Sequence, residues 1–159
     1  VEERFMAIQL FALIAVLGTG VVYGTDVFCA MVQRPALARV DDRALLVVMG
    51  NIHRYGDRRM PVPGVVGMIA AAISTALAAA SGRWAQAGTA GIALGLLVVW
   101  LVIYLRVSAP INRQLTAAAD QSGVAVEARA LQKNWDAVIT VRAVLQGVAV
   151  TALCVTLLI

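Results

Sequence analysis

Histidine is almost missing from this chain. His53 is the single one in 159 residues, and the two cysteines, Cys29 and Cys154, lie far apart. Cysteines so placed make neither a metal motif nor a disulfide framework, and one imidazole among scattered carboxylates is a poor ligand set for a transition metal. The cysteines therefore read as small apolar packing residues. No metal is expected, although an axial haem ligand is a role His53 leaves open. Charge is also scarce, at 14% of residues. The basic residues form no cluster interleaved with aromatics, so nucleic acid is not an expected partner. The start of the chain lacks a basic stretch and a small-residue cleavage pattern: Glu2 and Glu3 precede the first apolar run, which is expected to be a retained span rather than a signal peptide. Internal inverted repeats and broken apolar helices are absent as well, which makes transport the weakest reading.

Apolar sequence is present in abundance. The chain is 61% hydrophobic, with a mean hydropathy of +0.85. Long uncharged runs at that level predict an integral membrane protein. Spans are expected over 5–31, from Met60 to about Ala80, over 87–107 and over 138–159, the last reaching Ile159. Length suggests one domain, 1–159. The predicted fold is all-α: an up-down bundle of four transmembrane helices, with amphipathic helices in the two long connections.

The connections differ in character. Asp41 and Asp42 suit a helix N-terminus, as cap and as dipole partner. Leu45, Leu46, Met49, Ile52 and His53 then recur at helical spacing, which predicts an amphipathic helix from Asp42 to Tyr55 stopped by Gly56. Ser81-Gly82-Arg83-Trp84 predicts a tight turn with Trp84 as an interfacial anchor. After the third span, Ser108 to Arg113 is expected to be a polar connection that starts a short helix. Gln121-Ser122-Gly123 should break that helix, and a new one should begin near Val124 and run into the fourth span. The pairs Gly20/Gly24 and Gly91/Gly95 suit close helix approach. Most basic residues fall in the first-to-second and third-to-fourth connections, which puts those on the cytoplasmic side of what is expected to be a bacterial plasma membrane.

Arg142 is the anomaly around which the rest is organised. It sits inside the fourth apolar run, where a guanidinium facing hydrocarbon costs roughly 2.5–3.5 kcal/mol. Such a residue is expected to face inward with a partner, and Asp26, near the end of the first span, is the best candidate. The alternative for Asp26 is a helix end meeting water. In an up-down arrangement the ends of spans one and three and the starts of spans two and four share one membrane face. Asp26, the helix of His53 and Arg54, Tyr104, Asn112, Trp135, Arg142 and Gln146 are thereby gathered at one polar mouth, a usual place for a ligand. Trp100 and Tyr104 have a second reading as lipid-facing belt residues, and the ion pair has one as a structural registry device.

The layout resembles a family of small four-span membrane proteins that includes the anthrone oxygenases of aromatic polyketide pathways. The resemblance rests on the Gly-rich end of span one followed by Gln33-Arg34-Pro35-Ala36-Leu37, on His53-Arg54, on Pro110-Ile111-Asn112-Arg113, and on Trp135 with Arg142. It implies oxidation of an activated methylene to a ketone by dioxygen, without metal or organic cofactor. His53 or Asp26 would then be the base, Arg142 with Asn112 would hold the oxyanion, and Trp135 and Tyr104 would flank a planar ring. Two other classes remain open: a non-enzymatic subunit of a larger membrane complex or homo-oligomer, and a binder of a lipid, quinone or similar hydrophobic small molecule.

Overall fold

A computed structural model describes residues 2–121 and 127–159. All regular structure among them is helical: α1 (Glu2–Phe28), a π-turn (Cys29–Gln33), α2 (Arg34–Leu37), α3 (Asp42–Arg59), α4 (Pro61–Ala80), α5 (Trp84–Ile103), a second π-turn (Tyr104–Ser108), α6 (Ala109–Asp120) and α7 (Ala128–Leu158). Four continuous helical stretches are long and apolar enough to cross a membrane: Glu2–Leu37, Pro61–Ala80, Trp84–Asp120 and Ala128–Leu158. They are compatible with an integral membrane protein.

The first and third stretches run well past their predicted ends. Helix continues through the segment expected to be a polar connection at Ser108–Arg113, and past Met31 to Leu37. The reason lies in two prolines. Proline in a helix removes one N–H and crowds the carbonyl four residues earlier. For Pro35 and Pro110 those carbonyls belong to Met31 and Arg106, and each lies within a π-turn. The wider turn makes room for the ring, so both prolines fall at the opening of the next α-helical segment and the chain stays helical.

Gly56 does not stop α3, which continues one turn to Arg59. No positive φ occurs at Gly56, and a glycine in a helix interior weakens the helix without ending it. Asp41 caps α3 as expected, accepting from the Ala44 N–H at 2.8 Å. Leu45, Leu46, Met49, Gly50 and His53 form its buried face. Its remaining surface is mixed: Arg43, Asn51 and Arg58 are exposed, but so are Val47, Val48 and Ile52. At the far end of α6 the backbone leaves the helical region at Gln121. Ser122, Gly123 and the expected helix start near Val124 lie outside the described residues.

The chain divides into two compact units, each assembled from several segments. The first comprises Val1–Gly24, Val62–Trp100 and Val144–Ile159. Its core is small: Ala15, Ala70, Ala71, Ala93 and Ala149 pack with Leu97 and Leu153. Small side chains bring backbones together most closely at Gly18 and Gly67. A Cβ on Gly18 would lie 2.7 Å from the Pro63 carbonyl oxygen and 2.8 Å from Gly67 N. Close approach was expected instead at Gly20/Gly24 and Gly91/Gly95. A Cβ at Gly20, Gly24 or Gly95 meets nothing within 4 Å, and one at Gly91 only Thr75 Cγ2 at 3.6 Å. The α4–α5 turn is as tight as predicted, with Gly82 at φ +69°, a left-handed conformation that glycine adopts without penalty. Trp84 beside it is exposed and Trp100 is buried.

The second unit comprises Thr25–Pro61 and Leu101–Ala143. Here α3 lies directly against α6: a Cβ on Gly50 would clash with Ala119 and come within 2.9 Å of the Leu115 carbonyl. Leu45, Leu46, Met49, Ile111, Leu115, Ala128, Trp135 and Ile139 form the core. Arg129, at the start of α7, reaches Asp42 at 2.8 Å and the carbonyls of Leu37 and Val40 at 3.0 and 2.8 Å. That guanidinium fastens α7 to the turn between α2 and α3.

Candidate functional site

Four helical segments of the second unit deliver polar side chains into its interior. The end of α1 supplies Asp26, α3 supplies His53 and Asp57, the second π-turn and α6 supply Tyr104, Ser108 and Asn112, and α7 supplies Gln132, Trp135 and Arg142. Asp26, His53, Ser108, Asn112, Gln132, Trp135 and Arg142 are all buried.

The centre of this cluster is an ion pair. Arg142 Nη2 donates to Asp26 Oδ1 at 2.7 Å, and the two side chains keep only 6% and 3% of their surface exposed. Arg142 Nη1 donates to Ser108 Oγ at 2.8 Å. The guanidinium carbon also lies 5.5 Å from the Tyr104 ring centroid and 5.6 Å from that of Trp135, within cation–π range. A charge this far from water persists only with a matched charge and filled hydrogen-bond positions. Asp26, Ser108 and the two rings supply that environment. Asp26 is therefore Arg142's partner, as the sequence suggested, and it is not a helix end meeting water.

A second polar node forms at Asp57. Its Oδ1 accepts from the Tyr104 hydroxyl at 3.0 Å and from Asn112 Nδ2 at 2.8 Å. Asp57 is one helical turn from His53, so α3 presents both on neighbouring positions of one face. The His53 ring packs 5.7 Å from Trp135, centroid to centroid, and tilted by 52°. Burial pushes the imidazole down to about 4; Asp57 draws it partly back up and Arg142 pushes it further down. His53 is therefore neutral at physiological pH.

Among the described residues of this unit, buried polar atoms without a hydrogen-bond partner include His53 Nε2, Trp135 Nε1, Asn112 Oδ1 and Gln132 Oε1. Such atoms each cost about 1–3 kcal/mol and are rare in folded proteins. Two of them belong to the His53–Trp135 contact, and this is the feature that most resembles a ligand site.

Of the residues singled out from the sequence, Asp26, His53, Tyr104, Asn112, Trp135 and Arg142 belong to this one unit. Arg54 lies next to His53 but forms an ion pair with Asp120 on the exposed side. Gln146 is buried in the first unit. Sequence reasoning missed Asp57, Ser108 and Gln132. Asp57 follows the glycine taken as a helix stop, so it was not placed on the face of His53. Ser108 was assigned to a connection, and Gln132 precedes the apolar run of α7. Asp57 had one available signal, its helical spacing from His53. Compared with protein-family models, with curated proteins and with solved structures, the chain matches none.

Proposed function

We propose that this protein takes up a flat, hydrophobic aromatic molecule among His53, Trp135, Asn112 and Tyr104 and oxidises its activated methylene to a ketone with dioxygen, without metal or organic cofactor. The observation that carries this reading is His53 Nε2: a buried imidazole nitrogen with no partner, beside an aromatic ring. An anthrone-type methylene is acidic because its carbanion delocalises into the ring oxygen as an aryloxide. Neutral His53 removes the proton, the carbanion adds dioxygen to give a hydroperoxide, and loss of water leaves the ketone. One dioxygen is consumed and one water released for each methylene. The Arg142–Asp26 pair, bonded to Ser108, and the Asp57 node hold Tyr104 and Asn112 in place beside the ring, which preorganises the site electrostatically. The resemblance to the family that includes anthrone oxygenases agrees with this chemistry.

The test is oxygen uptake and ketone formation from an anthrone by the purified protein in detergent or lipid. His53→Ala should lower turnover by about 10²–10⁴-fold while leaving the melting temperature nearly unchanged. Because the base form of His53 acts, activity should be lost as pH falls through about 4 and should be flat above roughly pH 6. A wild-type protein that binds the anthrone but consumes no oxygen ends the oxygenase reading.

A second reading is favoured by that same depressed basicity. An imidazole held near 4 is a weak base at neutral pH, and the charge of Arg142 is already matched by Asp26. Both suit a protein that binds a quinone-type or phenolic ligand without turning it over, alone or as a subunit of a homo-oligomer or larger membrane complex. The four apolar stretches and the tight α4–α5 turn support an up-down four-span bundle in which α3 and α6 are the helices of the long connections. The basic residues of those connections support their placement on the cytoplasmic side of a bacterial plasma membrane.

A further inference from the structure

Two carboxamides in the second unit are locked in orientation. Asn112 Nδ2 donates to Asp57 at 2.8 Å, and Gln132 Nε2 donates to Asp136 at 2.9 Å. A carboxylate accepts but does not donate, so only the amide nitrogen can face it. Each amide is thereby fixed with its oxygen pointing away from the carboxylate, and those two oxygens, Asn112 Oδ1 and Gln132 Oε1, are among the buried atoms without a partner. Neither can be relieved by an amide flip, because a flip would set oxygen against carboxylate.

The remaining unsatisfied atoms complete a pattern. Trp135 Nε1 is a donor only, and His53 Nε2 donates or accepts according to its tautomer. The site therefore presents two fixed acceptors, one fixed donor and one group of either sense. A carbonyl oxygen on a ligand accepts from Trp135 and leaves both amide oxygens bare. A hydroxyl accepts from Trp135 through its oxygen and gives its hydrogen to an acceptor. Gln132 and Trp135 are three residues apart on α7, on one face of that helix, so a donor and an acceptor stand side by side there.

From this inventory we infer that the site selects a hydroxylated aromatic in its hydrogen-bond-donating form, an arene diol, over the corresponding dicarbonyl or ether. The inference rests on the ligand site proposed above and adds its polarity. A ligand that carries acceptors where the diol carries donors loses its hold on Asn112 and Gln132, so the dicarbonyl leaves more readily than the diol.

Three probes on one ring system test this: 1,4-dihydroxynaphthalene, its dimethyl ether, and 1,4-naphthoquinone. Binding to the full chain in detergent is followed by quenching of tryptophan fluorescence and by calorimetry, under nitrogen. The diol should bind about tenfold or more tightly than either other probe. Gln132→Leu and Asn112→Leu should each remove most of that preference while leaving ether binding within about twofold. The conservative change Asp136→Asn should also erode it, because an amide partner no longer fixes the orientation of Gln132. Equal affinity for all three probes overturns the donor preference and leaves the ligand site standing. Binding by none of them overturns both. A preference that survives both leucine substitutions overturns the assignment to these two oxygens.

Discussion

The two units of this chain bury polar groups to different ends. In the first, the polar side chains are spent on packing. Ser74 donates to the Ile8 carbonyl at 3.1 Å, Gln86 to that of Thr156 at 3.1 Å, and the Thr89 and Thr156 hydroxyls meet at 2.8 Å. These are the small hydroxyl and amide contacts that hold apolar helices together. In the second, an ion pair is buried, and among the described residues His53 Nε2, Trp135 Nε1, Asn112 Oδ1 and Gln132 Oε1 have no partner. The chain's formal net charge of +4 also belongs to the second unit: its eleven basic residues outnumber seven acidic ones, while the first has two of each. Polar burial alone therefore does not mark a functional region. Among the described residues the first unit also holds an unpartnered buried atom, Ser81 Oγ, so it is the gathering of several such atoms that sets the second unit apart.

Substitutions can break that contrast. The largest effect should come from Arg142→Ala, which leaves Asp26 buried and charged. A loss of about 3–5 kcal/mol is expected, read as a lower melting temperature in detergent. Asp26→Asn introduced into that background should restore part of it. In the first unit the most sensitive position should be Gly18, because its Cβ would strike backbone that cannot move aside. Gly18→Ala should cost about 1–3 kcal/mol, and Gly20→Ala, with open space around it, close to nothing. If the two glycines respond alike, the close approach of α1 and α4 is wrong. Asp57→Ala takes the acceptor from buried Asn112 Nδ2; it should cost about 1–3 kcal/mol and weaken ligand binding several-fold. The smallest effect should come from Ser74→Ala. It removes one neutral hydrogen bond worth about 1 kcal/mol and should leave ligand binding unchanged.

Acid provides a further contrast, confined to the second unit. His53 is held near 4 when folded, below its usual 6.5. The unfolded chain thus takes up a proton that the folded one does not, and this contribution to stability is lost as pH falls from about 6.5 towards 4. His53→Gln should flatten that part of the stability profile.

Much of this was legible in the sequence, for identifiable reasons. The apolar helical stretches follow from long uncharged runs. Arg142 stood out because a guanidinium in such a run requires a partner, and Asp26 was the acid placed to meet it. What stayed hidden depended on local backbone geometry. Proline and polar residues at Ser108–Arg113 looked like a connection, yet a π-turn let the helix pass. Gly56 looked like a stop, which removed Asp57 from the face of His53. The glycine pairs were judged by spacing alone, whereas the position of closest approach depends on where two helices cross, which spacing along one helix does not contain. The orientation of Asn112 and Gln132 came from carboxylates on other turns, Asp57 and Asp136, and no motif announces that arrangement.

The π-turns have one more consequence. Each fits an extra residue into a helical turn, so the positions beyond it are rotated by roughly 100° from where an unbroken α-helix would put them. Both phase steps lie within the second unit, immediately before α2 and α6. A single-residue deletion within Cys29–Gln33 or Tyr104–Ser108 could relax the π-turn into ordinary helix without breaking the chain's hydrogen bonding. Because the deletion removes the residue that the wider turn absorbs, Leu37, or Asn112 and Leu115, would keep facing the interior, whereas relaxing the turn without shortening the chain would rotate them by roughly 100°. At these two places the chain's length, counted residue by residue, acts as an angular setting.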